Sequence, residues 1–317
     1  MTEEYDKNVF IKTSIADIIS KDPLIAVPNT ATVEELLKVL HKHSLTSCPV
    51  VNPDTGRNRV IGFVDTNDVL ALLAKLTKNV DRQTSDLRLI SIGFLSSSVA
   101  NIMDLSKKDQ FTVVLEEQSM FEVMKVYAKG VHRVALLSVF SDIDDIVSQS
   151  CVVSFIASNV SVLGSLANKK IEDLLDHLVH QSELVTTSSS ELVIRSFQKM
   201  NDAGVTAVPV LDHENGSIVG TLSINDLSSI NEENIDLLLQ STEKFISRNV
   251  FIDQNKHKPA YPIILGVKDT FKDAIEMLAK FKIHRVWIVD RNRKPISILS
   301  LTDVCKILTE PPTELAS

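Results

Sequence analysis

Three aspartates, Asp68, Asp226 and Asp303, stand at matched points of a repeated segment. The segments read Gly62-Phe63-Val64-Asp65-Thr66-Asn67-Asp68-Val69, Gly220-Thr221-Leu222-Ser223-Ile224-Asn225-Asp226-Leu227 and Ser297-Ile298-Leu299-Ser300-Leu301-Thr302-Asp303-Val304. Each aspartate follows an apolar strand and opens a helix. A carboxylate in that place can satisfy orphan backbone N–H groups and complement the helix dipole. It can also accept two hydrogen bonds from a vicinal diol such as ribose. A single copy favours capping. Three aligned copies weigh towards a ligand, because Thr66, Asn67 and Thr302 beside them could cap as well. In a fourth copy, Val153-Ser154-Phe155-Ile156-Ala157-Ser158-Asn159-Val160, Asn159 takes the place of the aspartate.

A second set is basic. His132-Arg133 and His284-Arg285 sit immediately before apolar strands in the second and fourth copies. The planar fork of an arginine suits phosphate, and a neighbouring histidine adds a donor with a tunable charge. Two solvent-facing basic residues at a strand start are the plain alternative, and the recurrence of one dipeptide at one place argues against it. The matching pairs in the first and third copies, Thr46-Ser47 and Thr206-Ala207, offer hydroxyls without charge. Ser223 and Ser300 lie three residues before Asp226 and Asp303, and Thr302 directly precedes Asp303. At a helix N-terminus such hydroxyls cap, and with backbone N–H groups they can cradle an anion. Asp65 fills the matching place in the first copy and would repel one. His41 and His43 flank Lys42 at a helix end, where cations suit the dipole, and are not read as ligands.

These residues need a scaffold, and it repeats four times over roughly 60 residues, a length typical of one supersecondary unit. Each unit predicts a short amphipathic turn, a brief strand, a helix, a central strand, a turn and a second strand ending at the acidic helix start. The first strands are read at Leu24 to Val27, Phe111 to Leu115, Leu184 to Thr186 and Ile263 to Leu265. The helix stripes are Val33, Leu36, Leu37 and Leu40; Met120, Val123, Met124 and Tyr127; Val193, Phe197 and Met200; and Phe271, Ala274, Ile275 and Leu278. Thr32 with Glu35, Ser119 with Glu122 and Thr270 with Asp273 read as capping boxes, with Ser190 as the cap of the third helix. The central strands are Cys48–Val51, Val134–Leu137, Val208–Leu211 and Val286–Val289, and turn residues such as Asn52 to Gly56 follow. The second copy carries an acidic insertion at Asp142-Ile143-Asp144-Asp145, and Glu232 to Ser247 reads as a helix joining the third and fourth units. A unit of this size buries too little core to stand alone. The units are therefore expected to pair, first with second and third with fourth, with the boundary at 164–169.

The 317 residues carry a net charge of −8 and are 44% hydrophobic. The charge disfavours a nucleic-acid backbone as main partner while leaving room for a local basic pocket. Cys48, Cys151 and Cys305 are widely spaced in apolar surroundings and read as buried, reduced thiols. The acidic start, Met1 to Asp6, is unlike a signal peptide, and no uncharged apolar run approaches the ~18 residues of a membrane span. A soluble, intracellular protein is expected. No Walker loop, Gly-x-Ser-x-Gly elbow or His-Glu-x-x-His is present, and 9 glycines are few for a glycine-rich phosphate loop, so a non-enzyme without cofactor or metal is expected.

The repeated unit, the Pro-Val-Val type of central strand and the Gly-Phe-Val-x-x-x-Asp-Val close of the first copy resemble the CBS-domain family. Four units in one chain, His-Arg pairs in the second and fourth, and loss of the aspartate only in the second resemble the gamma regulatory subunit of the AMP-activated/SNF1-type protein kinase. That resemblance implies an α/β fold (α+β CBS repeats): four β-α-β-β-α units at 11–76, 95–163, 168–230 and 245–310, forming two tandem CBS-pair modules stacked in a pseudo-symmetric disc. It implies clefts for AMP, ADP or ATP, with Asp68, Asp226 and Asp303 on ribose diols. His132, Arg133, His284 and Arg285 would hold phosphates. Thr206, Ser300 and Thr302 would assist near Asp303, Ser223 near Asp226, and the Asp226 site would face Arg133, His284 and Arg285. It further implies a kinase catalytic (alpha) subunit and a scaffold (beta) subunit as partners, with no nucleic acid or membrane, in the cytoplasm or also the nucleus. Thr46 and Gly204 depart from the family, which has arginine at such places. A stand-alone CBS protein that senses an adenosyl ligand for another enzyme or transporter is the alternative, and a scaffold with vestigial sites is a third reading.

Overall fold

A computed structural model describes residues 5–19, 24–55, 60–78, 87–108, 111–137, 143–252 and 261–310. Met1 to Glu4, Gly56 and Asp142, which entered the sequence reading, lie outside the described residues. Four three-stranded sheets are present, and each is built the same way. After α1 (Lys7–Lys12), the first repeat pairs β1 (Val27–Pro28) parallel with β2 (Ser47–Val51) across α2 (Val33–His43), and β2 antiparallel with β3 (Val60–Asp65), which runs into α3 (Thr66–Thr77). After α4 (Leu87–Leu95) and α5 (Val99–Ile102), the second repeat has β4 (Val113–Leu115), α6 (Met120–Ala128), β5 (Arg133–Leu137), β6 (Ile143–Ser148) and α7 (Gln149–Ser158). The third has β7 (Thr187–Ser188), α8 (Val193–Ala203), β8 (Ala207–Leu211), β9 (Ile218–Ser223) and a 3-10 turn at Ile224–Ser229 in place of the last helix. Next come α9 (Thr242–Ile252), β10 (Ile264–Gly266), α10 (Phe271–Lys280), β11 (Arg285–Val289), β12 (Pro295–Ser300) and α11 (Leu301–Thr309). The parallel pairs need a crossover and the helices supply it, whereas the antiparallel pairs need only a turn.

The helix stripes read from spacing are the buried faces: Val33, Leu36 and Leu40 of α2 and Phe271, Ala274 and Ile275 of α10 have no exposed surface. Thr32 and Glu35, and Thr270 and Asp273, form reciprocal capping boxes, and Ser119 accepts from the Glu122 N–H. Ser190 does not cap α8. That helix starts two residues later behind Leu192, and Ser190 instead closes a turn with Ser188.

The second repeat corrects the alignment made from sequence. Ile143 to Ser148 is strand β6, not an insertion, and Val153 to Ser158 lies inside α7. The acidic strand misled because Asp144 and Asp145 break the apolar signal of a buried strand, while Val152, Val153 and Ile156 supply one from a helix. Asn159 is therefore the C-cap of α7. The expected joining helix at Glu232 to Ser247 is two pieces, a 3-10 turn at Ile235–Leu239 and the start of α9.

The chain divides into two compact units: 1–24, 111–184 and 257–317 in one, and 25–110 with 185–256 in the other. The first unit joins the second and fourth repeats, and the second joins the first and third. Each has its own apolar cluster. α6, α7, α10 and α11 share one through Val123, Met124, Ile156, Ile275 and Val304; α2, α3 and α8 share the other through Leu36, Leu73, Phe197 and Met200. The main cores thus lie between alternate repeats, while the expected pairing of sequence neighbours is carried by exchanged segments: Ser14 bridges Ser119 and Thr32 bridges Ser98 in the first pair, and Lys170 bridges Thr270 and Leu192 bridges Ser241 in the second. The helices, with their 3.6-residue stripes, bring alternate repeats together.

Candidate functional site

Each repeat makes one corner from four short-range devices. Three residues before the central strand the backbone enters the left-handed region, at Ser44, Gly130, Gly204 and Lys282. That turn ends the preceding helix and reverses the chain. Gly204, noted in the sequence as the place of a missing arginine, is this helix cap. Two residues on, the carbonyls of Thr46, His132, Thr206 and His284 accept from the first N–H of the closing helix, at Thr66, Gln149, Ile224 and Leu301. Next in sequence, Ser47, Arg133, Ala207 and Arg285 pair in register with the residue that caps that helix: Asp65, Ser148, Ser223 and Ser300. The central strands thus begin one residue earlier than the apolar run suggested, and the arginines lie within the ladder. Finally, the third helical residue is Asp68, Cys151, Asp226 or Asp303. Cys151, not Asn159, holds the carboxylate's place in the second repeat. Its Sγ lies 3.7 Å from Ser148 Oγ, the pairing that becomes a capping box in the other three.

In the unit of the second and fourth repeats the corners are basic. Arg133 is buried, and His132, His284 and Arg285 are half-buried. Desolvation holds the His284 imidazolium down to about 4, and the charges of Arg285, His132 and Arg133 add to it. Burial lowers Arg285 to about 10, opposed by the Asp303 carboxylate, and the side chain remains a cation at neutral pH. Desolvation raises Asp303 against the hydrogen bonds of Ser300. Both strand starts therefore act on His284, and the Asp303 carboxylate opposes the shift at Arg285. Ser300 N–H and Oγ–H both donate to Asp303 Oδ2, at 2.7 and 2.6 Å, so the cap uses one oxygen of the carboxylate. Thr302 Oγ1 accepts from Gln149 Nε2 at 2.9 Å, and Gln149 also donates to the carbonyls of Val131 and Tyr127. Gln149 thus ties the loop leading to His132 to the helix start beside Asp303. Sequence reasoning missed it, because no spacing marks an amide whose partner lies 153 residues away.

The other unit repeats the geometry without the cations. Thr66 Oγ1 donates to Asn225 Oδ1 at 3.3 Å, the counterpart of the Gln149–Thr302 bond. Asp226 is buried and accepts the Ser223 N–H at 2.8 Å, and Ser223 Oγ accepts from the Asn225 N–H. Thr206 belongs to this unit and Asp303 to the other; Asp226 and the two His-Arg pairs are likewise divided. Asp68 accepts the Asp65 N–H at 3.1 Å and the Ser106 N–H at 2.9 Å, one on each oxygen. Its carboxyl is raised by desolvation and partly lowered by those bonds. Cys48 and Cys305 are buried thiols, whereas Cys151, expected to be buried, is half-buried; burial pushes Cys305 up. Among the described residues no cluster of three His, Cys, Asp or Glu could hold a metal ion, and no single helix is long and apolar enough to cross a membrane.

Four β-α-β-β-α copies joined through their helices, each with a cap, a strand start and a third-position side chain at one corner, define an α/β repeat protein. The chain belongs to the CBS domain family, whose model matches residues 15–75, 171–232 and 260–310, more than half of the chain. The second repeat, where a thiol replaces the carboxylate, lies outside those ranges. Among curated proteins the chain is similar to Protein SDS23 of Kluyveromyces lactis (28% identity over 95% of this chain and 63% of that one). It is also similar to Protein SDS23 of Candida glabrata (27%, 89% and 54%) and Protein SDS24 of Saccharomyces cerevisiae (26%, 87% and 54%). It therefore spans somewhat over half the length of these relatives. Among solved structures, the fold is that of a Methanocaldococcus jannaschii protein described as a proposed archaeal homologue of gamma-AMPK. The TM-score is 0.72 at 15% identity, covering 93% of this chain and 99% of that one. An uncharacterised conserved protein of Pyrococcus horikoshii follows at 0.54, also at 15% identity.

Proposed function

We propose that the chain is a non-catalytic regulatory protein that binds adenine nucleotides, AMP, ADP or ATP, at its repeat corners. The observation that carries this reading is the convergence of His132, Arg133, His284 and Arg285 beside Asp303 within one unit. A buried arginine and a half-buried one that both act on His284 favour an anion beside them. A phosphate chain supplies it through charge-assisted bonds. The Oδ1 of Asp303, which the cap leaves aside, suits a ribose hydroxyl. In the other unit Asp226, with Ser223 and Thr206 near the same corner, offers a second diol site without its own cations. Ser300 and Thr302 act through the helix start: Ser300 orients Asp303, and Thr302 is held by Gln149.

The regulatory output follows from differential affinity: nucleotides with different phosphate counts shift the chain between states only by the difference in their contacts. The gamma-AMPK-like fold supports a gamma-type subunit working with a kinase catalytic subunit and a scaffold subunit, cytoplasmic or also nuclear. Regulation of a different enzyme or transporter is the competing form. Calorimetric titration with AMP, ADP and ATP tests the binding, beside an Arg133→Ala, Arg285→Ala double variant. Saturable binding that the double variant loses is expected. Equal binding by both would remove the phosphates from the His-Arg pairs, and kinase and scaffold chains absent from an affinity purification would sink the gamma-subunit form.

A further inference from the structure

We propose that the segment Asp104–Lys108 is an internal ligand of the first repeat, donating to the Asp68 oxygen that a ribose hydroxyl would use and so closing that corner to nucleotide. This rests on the nucleotide reading above. A diol brings two adjacent hydroxyl donors to a carboxylate. Ser106 donates its N–H to Asp68 Oδ1 at 2.9 Å, and its Oγ accepts from the Lys108 N–H. The remaining oxygen is taken by the Asp65 N–H. Asp303 differs, because both of its cap bonds fall on one oxygen and no other chain segment donates to it among the described residues.

Burial separates Asp68 from Asp303 but not from Asp226, which keeps 6% of its surface. Asp65, Thr66, Asn67 and Asp68 keep only 3, 1, 3 and 3% of their surface. Ser300, Thr302 and Asp303 stay half-exposed. The segment takes a demanding path to reach this position. Asp104 and Lys107 both adopt left-handed backbone, at φ 59° and 53°, which side chains other than glycine disfavour. Two such residues within four are more than a simple connector from α5 to β4 needs. Asp104 adds a negative charge beside Asp68, while Lys108 of the same segment places its Nζ towards Gly204 of the third repeat.

The test counts nucleotide equivalents bound by the full chain, using ATP and AMP as probes, in the wild type and in Asp68→Asn, Ser106→Pro and the Asp68→Asn, Ser106→Pro double variant. Asn at position 68 keeps one oxygen to accept the Asp65 N–H of the cap, and Pro at 106 removes the N–H that reaches Asp68. The expected result is an unchanged count for Asp68→Asn and one added equivalent for Ser106→Pro, lost again in the double variant. Loss of an equivalent in Asp68→Asn overturns the proposal, since Asp68 would already hold a ribose. An unchanged count in Ser106→Pro, with a wild-type melting curve, overturns it too. If Ser106→Pro does not fold, the Asp68→Asn count decides alone. Binding that the Arg133→Ala, Arg285→Ala variant abolishes keeps the nucleotide reading intact in either case, whereas no binding by any variant overturns both.

Discussion

His284 is the residue whose environment makes the sharpest prediction. It is held from an ordinary 6.5 down to about 4, first by desolvation and then by Arg285, His132 and Arg133. A base depressed in this way binds fewer protons folded than unfolded. The stability it confers is full above pH 6.5 and drains away as the pH falls from 6.5 towards 4. The loss should be on the order of 1–3 kcal/mol, discounted because the residue keeps some solvent contact. His284→Asn should flatten that part of the pH–stability curve; an unchanged curve in urea titrations would show that the ring titrates normally. Asp303 carries a second, smaller expectation. Asp303→Ala removes the acceptor of two Ser300 bonds and should cost about 1 kcal/mol as a lost cap, measured by thermal melting, while also weakening nucleotide binding. A stability loss with unaltered affinity would make the residue a cap and nothing more.

At the scale of elements, two glycines hold matching places in β3 and β9 and should respond differently. A methyl group at Gly62 would stand 2.8 Å from Met103 Sδ, and one at Gly220 would overlap Ile246 Cδ1. Methionine is flexible and can move aside, whereas isoleucine is stiff at its branched carbon. Gly62→Ala should therefore cost less than ~1 kcal/mol and Gly220→Ala about 1–3 kcal/mol, with part of the loss recovered in Gly220→Ala, Ile246→Val. Equal costs would show that α9 shifts as a body. The same scale explains where sequence reading succeeded and failed. The apolar stripes of α2, α6, α8 and α10 were legible because period and burial agree. Strand β6 was not, because Asp144 and Asp145 hide it and α7 offers a rival apolar run, so Cys151 was missed as the residue at the carboxylate position.

For the whole molecule, each compact unit is assembled from alternate repeats, so cutting the chain at its middle divides both cores. A chain of residues 1–164 would keep the first two repeats and expose the apolar faces of α2, α3, α6 and α7, which the third and fourth repeats otherwise cover. It should pair with a second copy to hide them. Sedimentation should find a concentration-dependent dimer; a folded monomer would mean that consecutive repeats are self-sufficient.

Sequence alone determined the four-fold repeat, the helix faces, the central strands and the matched positions of Asp68, Asp226, Asp303 and the two His-Arg pairs. All of these rest on local periodicity and spacing within one unit. Only the tertiary structure decided which repeats share a core, that Arg133 and Arg285 enter the strand ladder opposite Ser148 and Ser300, that Gln149 holds Thr302, and that Ser106 occupies Asp68. The ladder pairs lie 15 positions apart, and the Ser106 and Gln149 contacts join residues 38 and 153 positions apart. They depend on which apolar faces meet, and a pattern of residue types along the chain does not encode which of several similar faces will pair.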